Sequence, residues 1–155
     1  MTLRITVILL LALTPLVSLA QPSSVTANAP VINFKLPGLN DEGLRTSLLR
    51  GNEARYVNAS QIDLVGMQYT IFAEGSPTKV DTTLLAPTAS VFIINNKIKV
   101  HGEEGMRLIN DDLDVSGEKW TYEHAGKNDP NPRKITIERN VRVVFRLAEM
   151  KDILK

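Results

Sequence analysis

The stretch LLAPTASVFIINNKIKVHG, from Leu84 to Gly102, predicts a strand, a tight turn and a second strand. β-Branched residues are frequent in both arms, and such residues favour strands. In the second arm Ile98 and Val100 alternate with polar residues, so they face one side of the strand and the polar residues face the other. Asn95 and Asn96 separate the arms, and asparagine tolerates the positive φ that a tight hairpin turn requires. The segment therefore predicts a β-hairpin with one apolar face.

The hairpin pattern occurs three times along the chain. The first copy runs from Gly51 to Gly66, the second from Pro87 to Gly102 and the third from Gly117 to Asn140. The third copy is longer because Ala125 to Pro132, a segment rich in Gly, Asn, Asp and Pro, replaces a short turn. Copies that recur at about 30–36 residues are typical of stacked supersecondary repeats.

Further short strands are predicted around these hairpins. We expect an edge strand at Val31 to Pro37, a strand at Leu44 to Arg50, a bulge or bend at Gly66 and a last strand from Asn140 to Leu147. About ten short strands with turn signals every 8–12 residues, and no sustained helical period, predict an all-β domain. Stacked hairpins of this kind can close as a jelly roll, a sandwich or a β-solenoid.

The first 20 residues have the composition of a secretory signal peptide. Arg4 precedes the apolar run Ile5 to Leu13, and Ser18 to Ala20 forms a small-x-small cleavage site. The alternative is an uncleaved membrane anchor, because the segment is just long enough to span a bilayer. We therefore expect residues 1–20 to be a signal peptide, 21–30 a flexible linker, 31–147 one β-domain and 148–155 a C-terminal tail.

Charge and cysteine content exclude several classes of function. The chain has 18 Lys and Arg residues against 17 Asp and Glu, and the signal segment contains one base, Arg4, and no acid. The remaining chain is therefore neutral, which argues against nucleic acid as a partner. The chain has no cysteine, so disulfides, zinc–thiolate sites and cysteine nucleophiles are excluded.

The sequence contains few residues that suggest catalysis. His101 and His124 are the two histidines, and neither lies in a zinc-binding or serine-hydrolase motif. We expect both to be solvated surface residues. Asp111, Asp112 and Asp114 lack the glycine and the terminal glutamate of a calcium loop. These observations predict a protein without enzyme activity, metal or cofactor.

Apolar residues are more frequent on the predicted strands than one buried face requires. Ser90 to Ile94 is apolar at adjacent positions, which indicates burial on both faces or an apolar partner from outside. Trp120, the single tryptophan, is either a core aromatic or part of the lining of an apolar groove.

Several motifs downstream of the N-terminal hydrophobic segment together resemble a known family. They are Leu49-Arg50-Gly51-x-x-Ala54-x-Tyr56, then Ala86-Pro87-x-Ala89 followed by Asn96, Val100 and Gly102, then Leu113-x-Val115-x-Gly117-x-x-Trp120-x-Tyr122, and Ile135-x-Ile137-x-x-Asn140-Val141-x-Val143. With these motifs, residues Val31 to Leu147 resemble the OstA-like periplasmic proteins of lipopolysaccharide export. The resemblance is strongest to the LptC family, with the LptA family as a close relative.

The resemblance implies a partly open, twisted β-jelly roll whose sheets enclose an apolar groove for lipopolysaccharide acyl chains. Family members take lipopolysaccharide from an inner-membrane ABC transporter and pass it towards the outer membrane. Their jelly rolls join edge to edge in the periplasm. LptC proteins keep the N-terminal segment as an anchor in the inner membrane, whereas this segment looks cleavable, so both an LptC-like and an LptA-like position stay open.

The resemblance also implies particular site residues. The groove would be lined by Ile62, Leu64, Tyr69, Ile71, Val91, Ile93, Ile98, Val100, Leu113, Val115, Trp120, Ile135, Ile137, Val143 and Phe145. The edges that dock transporter and bridge partners would include Ile32, Phe34, Leu36, Val141 and Leu147.

A competing interpretation is a secreted structural or adhesive module with a closed core and no lipid ligand. The interior distinguishes the two, because a groove for acyl chains stays partly unfilled whereas a closed core packs to the density of a crystal. An enzyme on a β-scaffold would need converging polar groups, which the sequence does not show.

Overall fold

The computed structural model describes residues 29–95, 97–124 and 133–146. Its strands are β1 (Val31–Leu39), β2 (Arg45–Asn58), β3 (Gln61–Phe72), β4 (Val80–Ile94), β5 (Lys97–Gly102), β6 (Met106–Asn110), β7 (Leu113–His124) and β8 (Arg133–Phe145). The predicted all-β class is confirmed. No described segment is a helix with the length and hydropathy to cross a membrane. The predicted signal peptide, most of the linker, the loop at Ala125 to Pro132 and the C-terminal tail lie outside the described residues.

The eight strands form one antiparallel sheet. β1 to β4 pair in chain order, and β4 then pairs with β6 along its first half and with β5 along its second half. Both short strands pair with β7, which pairs on its other side with β8. Among the described strands β1 pairs with β2 alone and β8 with β7 alone, so these two strands are the edges of the sheet.

Hairpins join neighbouring strands at the end of the sheet where the predicted repeats place their turns. β2 and β3 meet at Asn58 and Gln61, and β4 and β5 meet at Ile94 and Lys97. Asn95 has a φ of 50°, the positive value predicted for this turn. β7 and β8 pair up to His124 and Arg133, so the third predicted hairpin is also present.

The strands are fewer and longer than the ten that the sequence predicts. β4 continues through Pro87 and β7 continues through Gly117. Proline is tolerated in β4 because the pairing to β6 ends at Leu85 and the pairing to β5 begins at Ser90. Pro87 therefore lies in the gap between β6 and β5, where its missing N–H removes no hydrogen bond to either of these two strands.

A line of irregular backbone crosses the sheet halfway along the strands, and we call it the crease. It contains Asn33, Gly66, Lys119 and Asn140, all with positive φ, and Pro87 beside Gly66. The ladders between β1 and β2, β2 and β3, and β7 and β8 are each interrupted at this level. The bend predicted at Gly66 is therefore present, and it is one position of a feature that crosses the whole sheet.

The inward face changes phase at the crease. β3 buries Ile62 and Leu64 before Gly66, but Met67 and Tyr69 after it. An extra residue in a strand shifts the alternation of side chains by one position, as a β-bulge does. β4 shows the same change, since even-numbered residues are buried before Pro87 and odd-numbered ones after Thr88.

The sheet folds back on itself at the crease. Tyr69 lies level with Val115, because the ladders connect Tyr69 to Leu84, Leu84 to Leu108 and Leu108 to Val115. In a flat sheet Tyr122 would lie roughly 23 Å further along β7, at about 3.3 Å per residue. The Tyr69 and Tyr122 rings are nevertheless 6.0 Å apart. The two halves of the sheet therefore face each other across one interior.

Candidate functional site

The interior between the two half-sheets is apolar and forms one cluster. Most of the predicted groove residues belong to it. Its buried members include Ile62, Leu64, Tyr69, Ile71, Val91, Val100, Val115 and Trp120, and Ile93, Ile98, Leu113, Ile135 and Ile137 pack against them partly buried. These predicted residues therefore share one apolar interior.

Val143 and Phe145 are the predicted groove residues that lie outside the cluster. They are 45% and 70% exposed, although they pair with Val115 and Leu113 and so share the inward-facing side of the sheet. Since β8 is an edge strand, no further strand covers them among the described residues. They extend the apolar surface of the interior to the outside.

Several interior residues are absent from the sequence prediction. They are Phe34, Leu49, Ala54, Met67, Leu84, Ala86, Ala89, Met106, Leu108 and Tyr122. The phase change at the crease explains part of this difference. If β4 alternated without interruption, burial of Val91 would place Leu84 and Ala86 on the outward face, whereas both are buried. The predicted bend at Gly66 could have identified Met67 as an interior residue, because the alternation of inward and outward side chains restarts there.

The predicted docking residues lie on strands that are edges of the sheet, but their side chains differ in exposure. Ile32 and Val141 are exposed, whereas Leu36 is half-buried. Phe34 is buried in the interior, where its ring makes an edge contact with Tyr56 at 6.2 Å. Phe34 therefore contributes to the core rather than to an exposed docking surface. Leu147 lies outside the described residues.

The interior is filled at its centre and open at two rims. Val91 and Val100 are completely buried at the centre. The hairpin rim consists of the half-buried Ile93, Ile98 and Ile135, next to the β4–β5 and β7–β8 hairpins. The far rim consists of Leu113, Val143 and Phe145 at the opposite end of β7 and β8. Both rims therefore carry partly exposed apolar side chains that border the interior.

A small group of polar side chains lies inside this apolar surface near the hairpin rim. The Tyr69 hydroxyl is 3.0 Å from His124 Nδ1, and the side chain of Ser47 lies near it. The Tyr122 ring contacts both the Tyr69 and the His124 ring, with centroids 6.0 and 6.4 Å away. We call Ser47, Tyr69, Tyr122 and His124 the interior polar cluster.

The prediction that His124 is a solvated surface residue is wrong. Its ring is half-buried, and burial lowers the pKa of the imidazole, with the positive charge of Arg133 adding to the effect. Sequence alone placed His124 at a loop entrance, but the fold at the crease brings Tyr69 over it. His101 lies on the polar face of β5 as expected, and its Nε2 is 2.9 Å from a carboxylate oxygen of Glu103.

Both tyrosines of the cluster are neutral hydroxyl groups. Burial raises the pKa of Tyr69 and raises that of Tyr122 more strongly. At the mouth of the cluster Arg133 pairs with Asp81 and so joins β8 to β4. Partial burial opposes ionisation of Asp81, but the hydrogen bond from Arg133 outweighs it and the pKa of Asp81 is lowered.

Two open hollows lie at the surface, and both are bordered by members of the interior cluster, such as Met67 and Leu64. One of about 700 Å³ runs along the crease past Gln68, Arg107 and Glu118, and one of about 310 Å³ lies beside Asp63 and His101. Polar side chains in the second hollow bond to one another, as Ser90 does to Asp63 and His101 to Glu103. Neither hollow offers the enclosed apolar surface that an acyl chain needs, so the interior remains the stronger candidate site.

Comparison with protein-family models and with curated proteins finds no match. The proposals for its function therefore depend on the residues of the interior and its rims.

Proposed function

We propose that this protein binds the acyl chains of an amphipathic lipid between its two half-sheets. In line with the sequence resemblance, the lipid is lipopolysaccharide and the protein is a periplasmic component of the lipopolysaccharide export bridge. One observation carries the proposal: the apolar interior continues without interruption into exposed apolar residues at its rims. Val143 and Phe145 show this most clearly, since they face inward by register and yet are open to solvent.

Burial of acyl chains provides the binding free energy. Each methylene moved from water to the apolar interior contributes roughly 0.8 kcal/mol. The first part of a chain could displace water from Ile93, Ile98 and Ile135 at the hairpin rim without disturbing the packed centre. Deeper insertion requires the half-sheets to separate, and the crease is the place where the backbone already departs from regular pairing.

The edge strands support the assembly part of the proposal. β1 and β8 each have one paired neighbour among the described strands, so each presents backbone groups for strand addition. The exposed side chains of Val141, Val143 and Val144 give β8 an apolar edge. A further OstA-like jelly roll that adds to β8 would continue both the sheet and its apolar face. The same addition at β1 would join the inner-membrane transporter.

Site-specific photo-crosslinking in cells tests this function. A photoreactive residue replaces Ile98 at the hairpin rim or Val143 at the far rim, and Lys99 serves as the matched control. Lys99 lies next to Ile98 on the same strand but on the opposite face, where it pairs with Glu123 at 3.1 Å. We expect lipopolysaccharide to be captured at Ile98 and Val143 and not at Lys99. If no position captures lipid in folded protein with its transporter present, the proposal is wrong.

The packed centre of the interior favours a second candidate function. Ala54, Val91 and Val100 have no exposed surface, as in a closed core. A secreted structural or adhesive module would need nothing more than this core, and it would bind no lipid. Absence of crosslinking at both rims would support this candidate.

A further inference from the structure

The hydroxyl of Tyr122 has no hydrogen-bond partner among residues 29–95, 97–124 and 133–146. The side chain is 2% exposed, so water does not replace the missing partner at the surface. A buried hydroxyl without a partner destabilises the folded state, because it has lost its hydrogen bonds to water. Such a group in a native structure calls for an explanation, and a ligand that supplies the partner is one.

The other polar groups around Tyr122 already have partners. The Tyr69 hydroxyl is hydrogen-bonded to His124, and Arg133 is paired with Asp81. Tyr122 touches this network through its ring, but its hydroxyl takes no part in it. The network therefore positions Tyr122 and leaves one neutral donor unused.

The position of Tyr122 relates this donor to the hairpin rim. Tyr122 pairs with Val100 on one side and with Ile135 on the other. His124 is the next inward-facing residue of β7 towards the rim, and it pairs with Ile98. Two residues of a strand cover about 7 Å, so the donor lies one side-chain layer below the rim.

We propose that the Tyr122 hydroxyl donates a hydrogen bond to the carbonyl oxygen of an acyl ester or amide of the bound lipid. This inference rests on the proposed lipid-binding function. The acyl chain of such a lipid enters past Ile98 and Ile135. The carbonyl at the head of the chain then lies in the side-chain layer below the rim. The charged part of the lipid stays outside, next to Arg133 and Asp81.

A neutral acceptor fits this site better than an anion. Tyr122 is a single uncharged donor in apolar surroundings, and an ionised phosphate there would lose its hydration without an opposite charge. A carbonyl loses less on leaving water and gains one hydrogen bond. The chemical class recognised is thus the acyl linkage, whichever headgroup carries it.

Tyr122→Phe tests the inference with two measurements on the whole protein. Removal of a hydroxyl that has no protein partner leaves the thermal midpoint of the lipid-free protein unchanged or raises it. Binding is measured by titration calorimetry with methyl myristate and pentadecane, each delivered from a cyclodextrin complex. We expect Tyr122→Phe to weaken methyl myristate binding about three- to tenfold, the worth of one hydrogen bond, and to leave pentadecane binding unchanged.

The outcomes separate the two proposals. If wild-type protein binds neither probe, the lipid-binding function fails. If wild-type protein binds both but Tyr122→Phe binds methyl myristate equally well, the function stands and the role of Tyr122 is wrong. A lower thermal midpoint in lipid-free Tyr122→Phe would also overturn that role, because the hydroxyl would then have a partner in the protein. Tyr69→Phe is the matched control, and it should lower the midpoint because its hydroxyl is hydrogen-bonded.

Discussion

The hydroxyl of Tyr69 lies 3.0 Å from Nδ1 of His124, and this contact connects β3 to β7, two strands that are not neighbours in the sheet. It can form because the sheet folds back at the crease. The contact is also the place where a titratable group lies between the two half-sheets, so it links their association to pH.

The first prediction concerns this pH dependence. Burial lowers the pKa of His124 below its ordinary value of 6.5, so the unfolded chain takes up the proton at a higher pH than the folded protein does. Stability contributed by neutral His124 is therefore complete above 6.5 and falls as the pH drops towards the lowered pKa. Asp81, which pairs with Arg133, keeps its charge in this range, since its pKa is lowered.

Urea unfolding between pH 7.5 and pH 5 measures this effect, with His124→Asn as the comparison. His101 is present in both proteins, so the difference between them reports on His124. We expect the free energy of unfolding to fall more steeply with decreasing pH in the wild type than in the variant. Parallel pH profiles would contradict the prediction.

The second prediction concerns Gly102. A Cβ at this position would lie 2.6 Å from Nε1 of Trp120. The indole cannot move aside easily, because it is 1% exposed and donates a hydrogen bond to the carbonyl of Glu104. We expect Gly102→Ala to lower the free energy of unfolding by about 1–3 kcal/mol, as overpacking does. Unfolding followed by the fluorescence of Trp120 measures it.

Gly105→Ala is the control for Gly102→Ala. A Cβ at Gly105 meets no atom within 4 Å, so the change should stay within about 0.5 kcal/mol. Equal losses at the two positions would show that the contact with Trp120 is not the cause.

The third prediction concerns the crease at Gly66. Its φ is +64°, and a Cβ there would overlap the side-chain amide of Asn52. Gly75 has a similar φ of +73° but open space around it, so Gly75→Ala should lose about 1–2 kcal/mol from backbone strain alone. We expect Gly66→Ala to lose more than Gly75→Ala in urea unfolding. In an Asn52→Ala background the extra loss should disappear, and its persistence would contradict the assigned clash.

The fourth prediction separates lipid capture from stability at the far rim. Phe145 is 70% exposed and points along the inward face of β8. Phe145→Ser should change the free energy of unfolding by less than about 0.5 kcal/mol, as is usual for exposed positions. It should nevertheless reduce lipopolysaccharide crosslinking from Val143, because the rim loses apolar surface. Undiminished crosslinking would show that Phe145 does not belong to the entry path.

Much of the fold is readable from the sequence, because local signals and tertiary structure agree there. The alternation around Ile98 and Val100 predicts β5, and the positive φ tolerated by Asn95 predicts its turn. The edge position of β1 also follows from a short alternating segment before a turn.

Other features depend on contacts between residues far apart in sequence. The sequence near Pro87 does not show that β4 continues through the proline. The strand can continue there because β6 and β5, which pair with β4, leave a gap between them at Pro87. Likewise the burial of His124 arises from Tyr69, which is 55 residues away. Of the candidate site, the apolar residues could be predicted, but the interior polar cluster and the orphan hydroxyl of Tyr122 could not.

The crease has a consequence for insertions and deletions. Because β2, β3, β4 and β7 restart their alternation there, inward and outward positions in the two half-sheets are set separately on either side of a fixed boundary. An added or lost residue in one half shifts inward and outward positions only up to that boundary. Deletion of Gly66, for example, would place Ile62 and Leu64 in one continuous alternation with Met67 and Tyr69, so β3 would no longer change phase where its neighbours β2 and β4 do. The position of each strand's boundary, rather than the length of the strand, therefore decides which side chains form the interior.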